Sequence, residues 1–301
     1  MPFFRIAFLA AIVAFSACRA VPEPSAGGDR SWTNMTTIVA AGDIADCRQV
    51  PPESSGAAQT AALVAPTDVA VLTLGDNTYP VGAPAEFSDC FDATWGRFGS
   101  RLRPSPGNHD YQTPVAAGYY RYFGDRAGPG NRGYYSFDVG GWHIVSMNSA
   151  VDAKVGSAQY RWLIADLEAS SGKLCTLVFW HHPVFSSGPH GNDPRMRDAF
   201  AALHGAGADV LLVGHDHVYE RLAPHDAEGE ADPVRGIRSF TVGTGGARLY
   251  KFKDPHPRSE MRDASTHGIL RLFLGDGIYR WEFVPAGGGA LRDPGEGVCH
   301  R

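Results

Sequence analysis

Five times along this chain a short aliphatic run ends in a turn carrying a side chain able to hold a metal. Residues 35–41 (MTTIVAA) lead to Gly42-Asp43, and residues 68–74 (DVAVLTL) to Gly75-Asp76-Asn77-Thr78-Tyr79. A short strand predicted before Pro104 leads to Gly107-Asn108-His109-Asp110. Residues 174–180 run into His181-His182-Pro183, and residues 209–213 into Gly214-His215-Asp216-His217. Short apolar runs bounded by turn residues read as buried strands. In α/β sheets ligands gather at the carboxyl ends of strands. A glycine ahead of the ligand permits a sharp turn and close backbone approach. A single Gly-Asp is usually only a turn. Five such elements in order point to a fold in which these strand ends share one rim.

The remaining pattern fills in that fold. Residues 54–65 are Ala-rich and helical, and residues 85–98 have helical spacing. Residues 134–139 and 142–147 form a predicted hairpin around Gly140-Gly141. Residues 157–169 read as an amphipathic helix with Tyr160, Leu163, Ile164 and Leu167 on one face. A helix is expected over 194–203 and strands over 239–242, 269–274 and 278–284, the last alternating Tyr279, Trp281 and Phe283. Strand–helix alternation at the front, with strand pairs between and behind, predicts an α/β (α+β) fold: a two-sheet β-sandwich flanked by helices. One compact domain is expected over 31–301.

The N-terminus reads as a targeting signal over residues 1–20. Arg5 and the free amine form the positive end, residues 6–15 are apolar, and Ser16-Ala17-Cys18 follows. The apolar run is too short to cross a membrane as a mature helix. Ser16-Ala17-Cys18 resembles the end of a bacterial lipoprotein signal, with Cys18 lipidated; the alternative is plain cleavage after Ala20. Residues 21–30 have linker composition. The expected destination is periplasmic, extracellular or lipid-anchored at the cell surface, with membrane contact only through Cys18. Five cysteines fit export. Without Cys18 four remain, and their positions favour Cys47–Cys90 and Cys175–Cys299, although four cysteines allow three connectivities. With 27 basic against 32 acidic residues, a net charge of -5 and no basic run, nucleic-acid binding is disfavoured.

The ordered ligand set resembles the calcineurin-like metallophosphoesterases. Tyr79 and the run Gly214-His215-Asp216-His217-Val218-Tyr219-Glu220-Arg221 narrow the resemblance to the purple acid phosphatase branch. It extends from about Met35 to the C-terminal strands. Residue by residue, the resemblance implies two metal ions. One would be held by Asp43, Asp76, Tyr79 and His217, the other by Asp76, Asn108, His181 and His215, with Asp76 bridging. Mixed oxygen and nitrogen ligands suit Fe, Zn or Mn. A Tyr79 phenolate is a hard anionic ligand and favours ferric iron, so Fe(III) with a divalent Fe, Zn or Mn is expected. His109 resembles the family's site histidine, which binds phosphate or protonates the leaving oxygen. His190 matches a substrate-facing histidine of small acid phosphatases. His182 reads equally as a structural or a rim residue. Asp110 and Asp216 are expected to cap loops or to partner metal-bound histidines. Asp46 reads as a turn residue, and His143, His204, His225, His256, His267 and His300 as structural or exposed.

The resemblance thus implies an acid phosphatase-like phosphomonoesterase acting on small phosphate esters through attack by a metal-bound hydroxide; the leader and cysteines add export, and a monomer is expected. One alternative is a phosphodiesterase or nucleotidase on the same site, decided by the loops over 111–135 and 186–194. There the Tyr-, Gly- and Arg-rich stretch 119–135 could stack a base or simply pack. Another is a non-catalytic surface binding protein that retains the fold. Two features depart from the larger relatives. Asp110 stands where many of them carry Glu, and only a short linker precedes the first strand, as in the small single-domain form.

Overall fold

The computed structural model describes residues 35–300, and Met1. The expected signal, Cys18 and the linker lie outside the described residues. In chain order the strands are β1 (Thr36–Ala41), β2 (Ala70–Leu74), β3 (Leu102–Ser105), β4 (Tyr135–Val139), β5 (Trp142–Ser146), β6 (Cys175–Phe179) and β7 (Val210–Val213). They continue with β8 (Tyr219–His225), β9 (Ile237–Val242), β10 (Ser259–Asp263), β11 (Gly268–Gly275), β12 (Ile278–Pro285) and β13 (Gly295–Val298). Helices α1 (Gly56–Ala61), α2 (Ala117–Phe123), α3 (Ala158–Ala169) and α4 (Arg197–Ala206) connect them, together with shorter turns.

Two sheets result. One has six strands in the order β13-β12-β11-β1-β2-β3, and the other seven in the order β10-β8-β9-β7-β6-β5-β4. Within them, β1, β2 and β3 run parallel, as do β5, β6, β7 and β9. The two-sheet, helix-flanked sandwich expected from the sequence is therefore the fold. Side chains alternate between the faces of a strand, and the core divides accordingly. Ile144, Leu177, Phe179 and Leu212 of the second sheet meet Ile38, Leu72, Leu270 and Leu272 of the first. Their neighbours Val145, Val178, Leu211 and Val213 pack instead against Leu163 and Leu167 of α3 and Phe200 and Leu203 of α4. Covered on both faces, β5, β6 and β7 are buried along their whole length, and β7 (VLLV) is apolar throughout.

Four local expectations are corrected. Residues 85–98 do not form one helix but a series of turns, Pro84–Glu86, a wider π-turn over Phe87–Phe91, Asp92–Thr94 and Gly96–Arg101. Irregular winding lets Phe87, Phe91, Trp95 and Phe98 all be buried. On α3, Ile164 is exposed, and the buried polar residue is Gln159, whose amide accepts from Asn148 N and donates to Asn148 O. Strands β8, β10 and β13 were not expected, because YERLAPH, SEMRD and GEGV carry little apolar signal. Helix α2 was also not expected. Its Tyr122 and Phe123 pack on Phe87 and Phe91, so much of the aromatic content of 119–135 is spent on packing. Both expected disulfides, Cys47–Cys90 and Cys175–Cys299, are present. Among the described residues, no helix is long and apolar enough to cross a membrane.

Candidate metal centre

Because β1, β2 and β3 belong to one sheet and β6 and β7 to the other, their carboxyl ends meet across the sandwich. The turns that leave them are laced by backbone bonds. Asp43 N donates to Gly75 O (3.0 Å), Ile44 N to Asp76 O (3.0 Å) and Gly214 N to His181 O (3.0 Å). Asp43, Asp76 and His215 all adopt positive φ, at 60°, 47° and 70°. Such left-handed residues are uncommon outside glycine and cluster at functional sites. Gly107 is required by close approach: a Cβ there would overlap the carboxylate and backbone of Asp76.

All seven expected ligands converge. Tyr79 Oη lies 2.9 Å from Asp43 Oδ1, 3.3 Å from Asp76 Oδ2 and 3.1 Å from His217 Nε2. Beside this group, His181 Nε2 lies 3.2 Å from Asp76 Oδ2, 3.1 Å from Asn108 Oδ1 and 3.2 Å from His215 Nδ1. Asp76 Oδ2 belongs to both groups. The outer oxygens of the two aspartates are otherwise engaged. Asp76 Oδ1 accepts from His109 N (2.7 Å), and Asp43 Oδ2 from His215 N (2.8 Å). Each carboxylate thus holds another loop with one oxygen and turns the other inward.

The donor chemistry fits cations at both foci. His181 Nδ1 donates to Leu74 O (2.8 Å), and His217 Nδ1 to Arg248 O (2.7 Å). Those bonds leave Nε2 of each ring facing inward. At one focus Tyr79 has one proton for three acceptors, and at the other His181 Nε2 faces three acceptors. A single proton satisfies one of them, whereas a metal ion satisfies all. The electrostatics agree. Burial opposes the charge on Asp76, but His181 and His109 hold its carboxyl far below the usual range. Asp43, likewise buried, is held low by His217. Burial would lower His181, yet Asp76 lifts it to about 9. Burial, and then His181, push His215 down to about 3, so its imidazole is neutral and able to ligate. Burial, Asp43 and Asp76 push the Tyr79 hydroxyl well above its ordinary value.

The two expected substrate-facing histidines flank this cluster. His109 packs over Tyr79 at 4.5 Å and donates from Nδ1 to Pro80 O (2.5 Å), while Nε2 sits 3.9 Å from Asp76 Oδ2. His190 is partly exposed on the far side, its ring 4.9 Å from that of His215. His182 is buried behind His215 at 4.4 Å, with Nδ1 at 2.8 Å from Ser149 Oγ, which makes it a structural neighbour. Asp110 and Asp216 cap loops. Asp110 Oδ2 accepts from Gly107 N and Asn77 Nδ2. The outer partners of His181 and His217 are backbone carbonyls, so of the two readings of Asp110 and Asp216 the geometry shows the loop-capping one.

A family model described as Calcineurin-like phosphoesterase matches residues 36–219. The chain belongs to this family. Purple acid phosphatase 18 of Arabidopsis thaliana is 30% identical over 213 residues, which cover 62% of this chain and 48% of that protein. Purple acid phosphatase 21 of the same plant is 40% identical over 149 residues, 46% of this chain and 34% of that one. The chain spans about half the length, or less, of these curated relatives. Among solved structures, the purple acid phosphatase PPD1 of yellow lupin (Lupinus luteus) superposes with a TM-score of 0.72 at 16% identity, covering 87% of this chain and 53% of that one. GAP50, the anchor in the inner membrane complex of Plasmodium, gives 0.68 at 13%, covering 89% and 90%. These two likenesses establish the phosphoesterase fold.

One site residue escaped the sequence reading. Tyr250 stacks flat on His217, with ring centroids 4.0 Å apart and planes at 9°, and stands 5.4 Å from His190. It arrives on the loop after β9, where Gly245 N donates to Gly42 O and Ala247 N to Asp43 O. The run Gly243-Thr244-Gly245-Gly246 was the available signal that this backbone approaches another closely.

Proposed function

We propose that this chain is an exported phosphomonoesterase, similar to the purple acid phosphatases, with two metal ions held by Asp43, Asp76, Tyr79, Asn108, His181, His215 and His217. The observation that carries the reading is the convergence of these seven side chains into two foci that share Asp76 Oδ2. The bound ions would supply positive charge for the phosphate oxygens and acidify a water for attack. Tyr79, ionised against a cation, makes Fe(III) the favoured ion at its focus, beside a divalent Fe, Zn or Mn.

The chain's own residues do the rest. Asp43 and Asp76 fix the turns that carry His215 and His109, so the two foci are set before substrate arrives. His109 projects Nε2 toward the cluster, placed to bind phosphate or pass a proton to the leaving oxygen. His190 closes the other side. Two disulfides support export, since such bonds persist in oxidising compartments. The fold alone does not carry the activity, because the same fold serves unrelated roles. It is the complete donor set that favours turnover over a purely binding role.

The test is phosphate release from an aryl phosphate by purified protein, with bound metal measured in parallel. Two metals per chain and turnover, both lost in Asp76→Ala, support the reading. Turnover unchanged in Asp76→Ala sinks it. A diester cleaved faster than any monoester moves the assignment to a phosphodiesterase on the same centre.

A further inference from the structure

Asp216 lies between His215 and His217 in sequence, yet its side chain turns away from the metal foci. It is fully buried. Its Oδ1 accepts from the backbone N of His190 (3.0 Å) and lies 3.3 Å from Nδ1 of the same residue. Its Oδ2 accepts from Ser186 Oγ (2.6 Å), and that hydroxyl accepts in turn from Gly188 N (2.9 Å). The fit is close enough that a Cβ at Gly188 would overlap the carboxylate. Four residues along, a second buried carboxylate repeats the device on the next serine. Glu220 Oε2 accepts from Ser187 N (2.7 Å), and Oε1 from Ser187 Oγ and from Ser259 Oγ (2.5 Å). The run from His215 to Glu220 therefore supplies two proposed ligands and also holds the loop over residues 186–190.

That loop ends in a side chain needing such support. The His190 side chain is 46% exposed, and it reaches the site only across the rings of His215 and Tyr250. An exposed side chain loses rotamer freedom when it is fixed, so its orientation must come from a partner. The Asp216 carboxylate is within reach of both its backbone and its ring.

We infer that Asp216 is a positioning residue: it orients the His190 imidazole through Nδ1 so that Nε2 is presented to the phosphate ester. The inference rests on the phosphatase reading of the metal centre. Asp216 touches no substrate; its effect passes through His190.

The experiment is a double-mutant cycle on an aryl phosphate, using Asp216→Asn, His190→Ala and the double variant, with metal content measured for each. Asp216→Asn keeps the shape and can still accept the His190 amide. We expect kcat/KM to fall about 10-fold or more, the range found when an orienting partner is removed. We expect metal content to stay at the wild-type level. The double variant should be no slower than His190→Ala alone, because residues that act as a unit are not additive. Losses that multiply, or metal lost in Asp216→Asn, overturn the inference. Ser186→Ala removes the other arm of the latch and should reproduce part of the loss with the histidine motif untouched. Hydrogen exchange at the His190 amide reads the latch without turnover. Faster exchange in Asp216→Ala, which leaves the His190 amide without its acceptor, supports it, and unchanged exchange there overturns it. Wild-type protein that hydrolyses no phosphate ester overturns the phosphatase reading instead.

Discussion

Asp76 accepts the backbone N–H of His109 at 2.7 Å, so the residue shared by the two proposed metal foci also fixes the histidine proposed to handle the leaving group. This bond uses the main chain of His109 and not its ring, whose Nδ1 is held by Pro80 O. His109→Ala therefore keeps the bond and the metal, and removes only the imidazole. Turnover should fall by about 10²- to 10⁴-fold, the usual contribution of a general acid, with metal content unchanged. Kinetics and metal analysis on the same preparation check this. Metal lost together with turnover would place His109 among the structural supports of the cluster.

In the proposed centre Tyr79 sets the charge at its focus. With burial and two aspartates opposing ionisation, its phenolate requires a strongly charged ion opposite it. Hard anionic oxygen donors select hard ions. Tyr79→Phe should therefore retain a bound metal while iron gives way to zinc or manganese in protein grown with all three. Elemental analysis of wild type and variant decides. An iron fraction unmoved by the substitution would show that Asp43, Asp76 and His217 choose the ion without the phenol.

The same residues explain how much the sequence disclosed. Most of the proposed ligands lie within a few residues of the end of a buried, largely apolar strand, so motif and strand announced one another. That is why Asp43, Asp76 and His215 could be assigned to one rim although 172 positions separate the first from the last. Tyr250 sits on a loop with no ligand motif, and nothing in its local pattern shows that it stacks on His217. Strands β10 and β13 are edge strands. Edge strands need bury little side chain, so their polar sequences carry no periodicity to read. The turns over 84–101 were misread because aromatic spacing near 3.6 also suits a chain that tightens and widens its winding to bury every ring.

A covalent tether holds the chain just beyond β13. That strand pairs with β12 over only four residues, and Cys299, just beyond it, is joined to Cys175 at the start of β6, 124 positions away. Closing so long a loop removes much unfolded-state entropy, and losing such a bond typically costs about 2–5 kcal/mol. Replacing both cysteines with Ala should lower the thermal midpoint by roughly 10 °C at ~2–4 °C per kcal/mol. Calorimetry of the double variant tests this. A midpoint within about 2 °C of wild type would mean that the β12–β13 ladder suffices.

At the opposite edge of the sandwich, His143 makes stability depend on pH. Its ring is buried between two carboxylates, Nδ1 at 3.0 Å from Asp138 Oδ1 and Nε2 at 2.8 Å from Asp166 Oδ2. Asp138 is on β4, His143 on β5 and Asp166 on α3, so the imidazole ties the edge hairpin to the helix. Lys173 reaches the other oxygen of Asp138 (2.6 Å), and Ser136 Oγ donates to Asp166 Oδ1 (2.6 Å). Both ring nitrogens can donate only when the imidazole is protonated. Burial works against that charge, but Asp166 and Asp138 more than offset it, and the His143 pKa is raised. A group raised in the folded state gives its full stabilisation below its unfolded value, ~6.5, and loses it as pH climbs through the folded value. The thermal midpoint of wild type should therefore exceed that of His143→Gln most at about pH 5, and the gap should narrow by about pH 9. A gap of equal size at both pH values would assign the clamp to packing, with no part for the proton.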